Sequence, residues 1–144
     1  MNGEKLIVPA IRDSLSIISD YVLEVAKEAG LDRKKRNNLR RAVDEIATNI
    51  IEHGYLEKKG RGILEIEATI DQSALIIFLE DTGIPYDPTQ HPTPTDLESP
   101  LEERKMGGLG VYLAQISVDK LIYERVDNRN CNQLIVYRSL NKAK

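Results

Sequence analysis

The chain has 144 residues, 41% hydrophobic and 30% charged, a size and balance that suit one water-facing domain with one core spanning residues 1–144. A formal net charge of −3 argues against a general nucleic-acid binder. No apolar run approaches the roughly 18–20 residues of a membrane-crossing helix, and residues 1–9 lack the basic-then-apolar layout of a secretory leader. The single cysteine, Cys131, has no internal disulfide partner, so a cytoplasmic location is expected.

Residues 4–8 are expected to form a short edge strand that stops at Pro9. From Ser14 the period turns helical. Leu15, Ile18, Val22, Val25 and Ala29 recur at three- and four-residue steps, with Gly30 as a C-terminal stop. Asp32 is placed to cap a second helix, whose apolar face is Leu39, Val43, Ile46 and Ile50 and which is expected to run to about His53. Residues 57–62 read as a charged turn. The period then switches to two: Leu64, Ile66, Ala68 and Ile70 alternate with polar residues, and residues 74–79 are nearly all apolar, which predicts an antiparallel hairpin around residues 71–73. Residues 84–100 carry five prolines and predict a long irregular loop. A helix is expected over 108–116, opening on glycines, and a final hairpin of strands 121–126 and 134–140 around a polar loop at 127–132. Paired neighbouring strands with helices between them predict an α+β two-layer sandwich, its sheet mostly antiparallel and its helices on one face.

Three segments carry residues suited to chemistry. On the second helix Glu45 and Asn49 are four apart and share a face. With about 3.6 residues per turn, Asn49 falls at the border of the apolar stripe and Glu45 just beyond it. A carboxamide oxygen is a hard ligand of the kind Mg²⁺ takes, and a carboxylate beside it can accept a proton from a hydroxyl. At the end of the most apolar strand stand Asp81, Thr82 and Gly83. Such a tripeptide often only turns the chain, but Asp81 could also accept from a ligand amino group, with Gly83 allowing close backbone approach. Gly107, Gly108 and Gly110 open the third helix, where free backbone N–H groups suit phosphate. Neither GxxxxGK[ST] nor a strand-following GxGxxG is present. Each segment taken alone is also explained by ordinary structure: an amphipathic helix, a turn, a hinge. The basic run of Arg33, Lys34, Lys35 and Arg36, with Arg40 and Arg41, reads as a solvated helix face, or as a surface for an acidic partner.

In combination the three segments, in this order, resemble the GHKL ATPase superfamily, and within it the small anti-sigma-factor serine/threonine kinases of partner-switching systems. Residues 44–55 (DEIATNIIEHGY), 80–88 (EDTGIPYDP) and 107–114 (GGLGVYLA) carry the likeness. The resemblance implies the Bergerat fold, with ATP and Mg²⁺ held between the helices and the Pro-rich loop. It implies that Glu45 is the general base and that Asn49 holds the metal. Asp81 would read the adenine amino group above Gly83, Gly107, Gly108 and Gly110 would bind phosphate, and Arg104 would reach the terminal phosphate. The implied substrate is a STAS-domain anti-anti-sigma protein, the implied second partner a sigma factor, and a homodimer is consistent with the family. Two alternatives share ATP binding: a module that binds nucleotide and partner without turnover, and a kinase controlling another target such as a phosphatase. The sequence departs from the family at residues 130–134, where a small hydroxyl residue commonly precedes the last strand.

Overall fold

A computed structural model describes residues 4–54, 62–90 and 108–139. In chain order it contains strand β1 (Leu6–Pro9), helices α1 (Ser14–Glu28) and α2 (Arg33–Asn49), strands β2 (Ile63–Ile70) and β3 (Ala74–Asp81), helix α3 (Gly108–Ser117), and strands β4 (Lys120–Val126) and β5 (Arg129–Tyr137). A π-helical turn, Ile50–Gly54, extends α2, and a short 3-10 turn, Pro88–Gln90, follows β3.

The five strands form one antiparallel sheet in the order β1-β2-β3-β5-β4. Pro9 lies at the end of β1, opposite Ile63; β1 is an edge strand, the place where a residue without an N–H disturbs no second ladder. The inner face follows the period of two. Leu64, Ile66, Ala68 and Ile70 of β2 pair with Asp81, Leu79, Ile77 and Leu75 of β3. Across the other edge of β3, those four positions face Asn130, Asn132, Leu134 and Val136 of β5. The apolar members join Ile18, Val22, Leu39, Val43 and Ile46 of the helices in one buried cluster, each Val, Leu or Ile contributing roughly 1.5–3 kcal/mol relative to exposure. The result is the two-layer α+β arrangement that the periodicities predict, with α2 packed against both α1 and α3.

Local chemistry fixes the ends of the helices. Gly30, at φ +79°, takes the left-handed conformation after α1, and Leu31 N donates back to Ala26 O at 3.1 Å. Asp32 Oδ1 accepts from Lys35 N at 2.8 Å and caps α2. The last hairpin differs from the expectation. The polar stretch 127–132 is not a loop: only Asp127 and Asn128 turn, at φ +52° and +64°, as tight hairpins favour for these two residue types. β5 therefore begins at Arg129, and the polarity of residues 130–133 belongs to a strand.

Candidate functional site

The inner face of the sheet changes character within two rungs. At one end stand Leu75 and Val136; at the other Asp81, Asn130 and Asn132, each no more than 3% exposed. Strand alternation aims these three polar side chains toward the helices, where water does not reach them. Asn130 is the organiser. Its Nδ2 donates to Asp81 Oδ1 at 2.9 Å and to Ile84 O at 2.8 Å. Its Oδ1 accepts from the Tyr123 hydroxyl and, at 3.4 Å, from Tyr86 N. Gly83 N donates to the same Asp81 Oδ1 at 2.8 Å, while Gly83 O accepts from Arg125 Nη1 at 2.9 Å. The turn after β3 is thus fixed from both sides. The other oxygen of Asp81, Oδ2, is buried without a hydrogen-bond partner. Burial raises the Asp81 carboxyl above its ordinary value, and the bonds from Asn130 and Gly83 oppose that only in part.

The facing wall is the end of α2 and the π-turn. Asn49 is 6% exposed, deeper than the border position its helical angle gives, and shares its cavity with Ile84, Tyr86 and Pro88 from the chain after β3. Its Nδ2 is also buried and unpartnered. Asn49, His53, Asp81, Asn130, Asn132 and Tyr86, with apolar walls from Ile46, Ile50, Ile84 and Pro88, line one narrow cavity. Three of its polar groups, Asn49, Asp81 and Asn132, hold unfilled hydrogen-bonding atoms, the chemistry that a ligand bringing its own donors and acceptors would satisfy.

Glu45 opens instead onto a groove between α2 and α3, beside Arg41, Asp44, Gly110 and Leu113. A Cβ built on Gly110 would fall on the Glu45 carboxylate. At this position glycine lets the Glu45 carboxylate come close to the α3 backbone and serves no turn. Burial, and then the charge of Asp44, push the Glu45 carboxyl up. The Tyr86 phenol is raised by burial and then by Glu45, which puts Tyr86 within electrostatic reach of that carboxylate from the cavity side.

The structure therefore gathers Asn49 and Asp81 in one cavity, sets Gly83 beside Asp81, and places Glu45 against Gly110 in the adjoining groove, with α2 as the common wall. Gly108 starts α3; Arg104 and Gly107 lie outside the described residues. Sequence reasoning missed Asn130 and Asn132. Their signal was the alternation Asn130, Asn132, Leu134, Val136, a period-two face hidden by its polar start. Tyr86 was quoted only as part of a motif.

The family profile described as histidine kinase-like ATPase domain matches residues 8–137. The chain belongs to this family. Such a domain binds ATP, and the Asn49–Asp81 cavity lies inside the matched span. Among relatives, a serine-protein kinase RsbW of Staphylococcus aureus (strain bovine RF122 / ET3-1) is 29% identical over 117 residues, covering 79% of this chain and 74% of that one. A second serine-protein kinase RsbW, from Bacillus thuringiensis (strain Al Hakam), is 27% identical over 117 residues and covers 79% and 72%. The histidine kinase-like fold also appears in two solved structures. The RsbU and RsbW domains of a Mycobacterium tuberculosis protein match with a TM-score of 0.64 at 15% identity; the match covers 99% of this chain and 35% of that one, so this chain spans about a third of its length. The histidine kinase domain of a blue-light activated kinase from Erythrobacter litoralis EL346 matches with a TM-score of 0.51 at 15% identity, covering 90% of this chain and 61% of that chain. Among the described residues no helix is long and apolar enough to cross a membrane.

Proposed function

We propose that this chain is an ATP-dependent serine/threonine protein kinase acting as an anti-sigma regulatory factor, which phosphorylates a STAS-domain anti-anti-sigma protein and sequesters a sigma factor. The observation that carries the reading is the buried, unfilled pair of polar groups, Asp81 Oδ2 and Asn49 Nδ2, facing one apolar cavity in a chain related to serine-protein kinases.

In this reading Asp81 Oδ2 accepts from the adenine amino group, and the backbone of Gly83 lies under the ring. Gly108 and Gly110, at the start of α3, and Gly107, which precedes them in sequence, offer backbone donors to the phosphates, with Arg104 reaching the terminal one. Asn49 would hold Mg²⁺ through its carboxamide oxygen; the bound ion would neutralise phosphate charge, and an oxygen donor on a buried helix wall suits it. Glu45 accepts the proton of the incoming serine or threonine hydroxyl. Its position in a groove open to a partner, and a carboxyl raised toward neutral pH by burial and Asp44, suit a general base. Phosphoryl transfer asks mainly for positioning and charge neutralisation, which these groups supply.

The test is radiolabelled ATP offered with STAS-domain proteins encoded near the gene, wild type against Glu45→Ala. The proposal expects label on a STAS serine or threonine with wild type, and retained ATP binding without label for Glu45→Ala. ATP binding by wild type with no STAS protein labelled would favour a nucleotide-dependent binding module instead.

A further inference from the structure

Asn132 takes no part in the proposed mechanism, yet its placement is unusual. It stands one inward step along β5 from Asn130 and faces Leu79 across the ladder, which makes it the diagonal neighbour of Asp81. It is 2% exposed, and its Oδ1 is buried, unpartnered and part of the cavity wall. Tyr123, its neighbour on β4, does not serve it, because the Tyr123 hydroxyl is given to Asn130. A buried carbonyl oxygen without a donor is unfavourable, so an unfilled one in a ligand cavity points to a donor that arrives with the ligand.

Asp81 Oδ2 is the second unfilled acceptor on the same floor. Its sister oxygen is already bonded to Gly83 N and Asn130 Nδ2, so Asp81 offers a ligand one acceptor and not a bidentate pair. The floor thus presents two separate acceptors from diagonal positions.

Resting on the reading of this cavity as a nucleotide site, we propose that Asn132 is a specificity-determining residue. Asp81 Oδ2 and Asn132 Oδ1 each accept one N–H of a single exocyclic amino group. The cavity then selects a purine nucleotide bearing –NH2 at position 6 over one bearing a carbonyl there. An amino group supplies two donors to two acceptors. A carbonyl leaves both acceptors unpaired and sets three oxygens against one another. A serine or threonine hydroxyl in this place ends one bond nearer the strand, whereas the asparagine carboxamide reaches directly toward the base.

The experiment measures Kd by calorimetry for ATP and for purine riboside triphosphate, which lacks only the amino group, with wild type and Asn132→Leu, a change that keeps bulk and removes the acceptor. The expected result is ATP binding about tenfold weaker in the variant and purine riboside triphosphate binding changed less than about twofold, since the analogue has no bond to lose. Wild type is also expected to prefer ATP over ITP. Equal weakening of both ligands, or of neither, would overturn the role of Asn132 while leaving the nucleotide site in place. Failure of wild type to bind either nucleotide would instead remove the nucleotide reading, and this inference with it. If circular dichroism shows that Asn132→Leu does not fold, Asn132→Thr takes its place in the same cycle: weaker binding of ATP alone supports the role of Asn132, and equal change in both ligands overturns it.

Discussion

Replacing Asp81 with asparagine changes one atom and one charge at the floor of the cavity, and the structure separates its effect on folding from its effect on binding. The asparagine oxygen can keep both bonds that Oδ1 makes, to Gly83 N and Asn130 Nδ2. Its NH₂ then stands where the unpartnered Oδ2 was. In the free protein this removes a carboxylate that burial disfavours. Because the folded pKa is raised, the stability associated with the protonated carboxyl is fully present below the ordinary Asp value and lost as pH rises through the raised one. At neutral pH the variant is therefore expected to be as stable as wild type or more so, with the difference shrinking on acidification. Binding moves the other way. A hydrogen bond to a charged group is worth about 1.5–3 kcal/mol, or about 10–150-fold in Kd, and an NH₂ aimed at an amino group adds repulsion. The assay is urea unfolding with and without ATP. ATP at 100 times the wild-type Kd should stabilise wild type by about 2.7 kcal/mol; with affinity about a hundredfold lower, the same concentration adds only about 0.4 kcal/mol. Unchanged ATP stabilisation in Asp81→Asn, or a large loss of stability without ATP, would refute this reasoning.

Four further outcomes are expected. Gly110→Ala places a methyl on the Glu45 carboxylate, the flexible end of its side chain; the carboxylate swings aside, so stability should change by about 1 kcal/mol or less and phosphoryl transfer should fall more than ATP affinity; an unchanged kcat would contradict the contact. The rate of transfer should rise with pH through a Glu45 pKa above the ordinary carboxylate range, and Asp44→Asn, by removing the second cause of that shift, should move the acid limb to lower pH; a limb that stays in place would exclude Glu45 as the titrating base. Ile77→Ala, at a fully buried position of β3, should cost about 2–5 kcal/mol in chemical denaturation with ATP affinity little changed. On the outer face Arg129 joins Glu65 at 2.9 Å and Glu80 at 3.1 Å, two glutamates opposite each other in the β2–β3 register. Arg129→Ala should lose about 1 kcal/mol or less. Glu65 is held low chiefly by its Arg129 hydrogen bond, so that loss should be present above the ordinary Glu pKa, fade as pH falls through the lowered one, and shrink with salt.

The frame of the fold was legible because burial imposes periods. The stripe of α1 and the alternation from Leu64 to Ile70 name their own faces, and Asp32 and Gly30 mark helix ends by local chemistry. The helix face shared by Glu45 and Asn49 was legible too, but not that the two side chains open to different spaces. That depends on how closely α3 approaches α2 at Gly110, a tertiary distance with no sequence signature. The strand carrying Asn130 and Asn132 was hidden because polarity is the ordinary mark of a loop. Here two buried asparagines continue the core face of a strand, and hydrogen bonds to Asp81, Ile84 and Tyr123 make burial of Asn130 tolerable. Asn130 and Asn132 are thus part of the cavity wall. Local rules fail where a core surface turns polar to meet a ligand.

Whether the Asn49–Asp81 cavity is the base pocket is tested most directly by a crystal structure with Mg²⁺ and a non-hydrolysable ATP analogue. The purine is expected between α2 and the turn at Gly83, with its amino group within hydrogen-bonding distance of Asp81 Oδ2 and Asn132 Oδ1, and the phosphates at the start of α3. A nucleotide bound elsewhere, with both oxygens still unpartnered, would contradict that assignment.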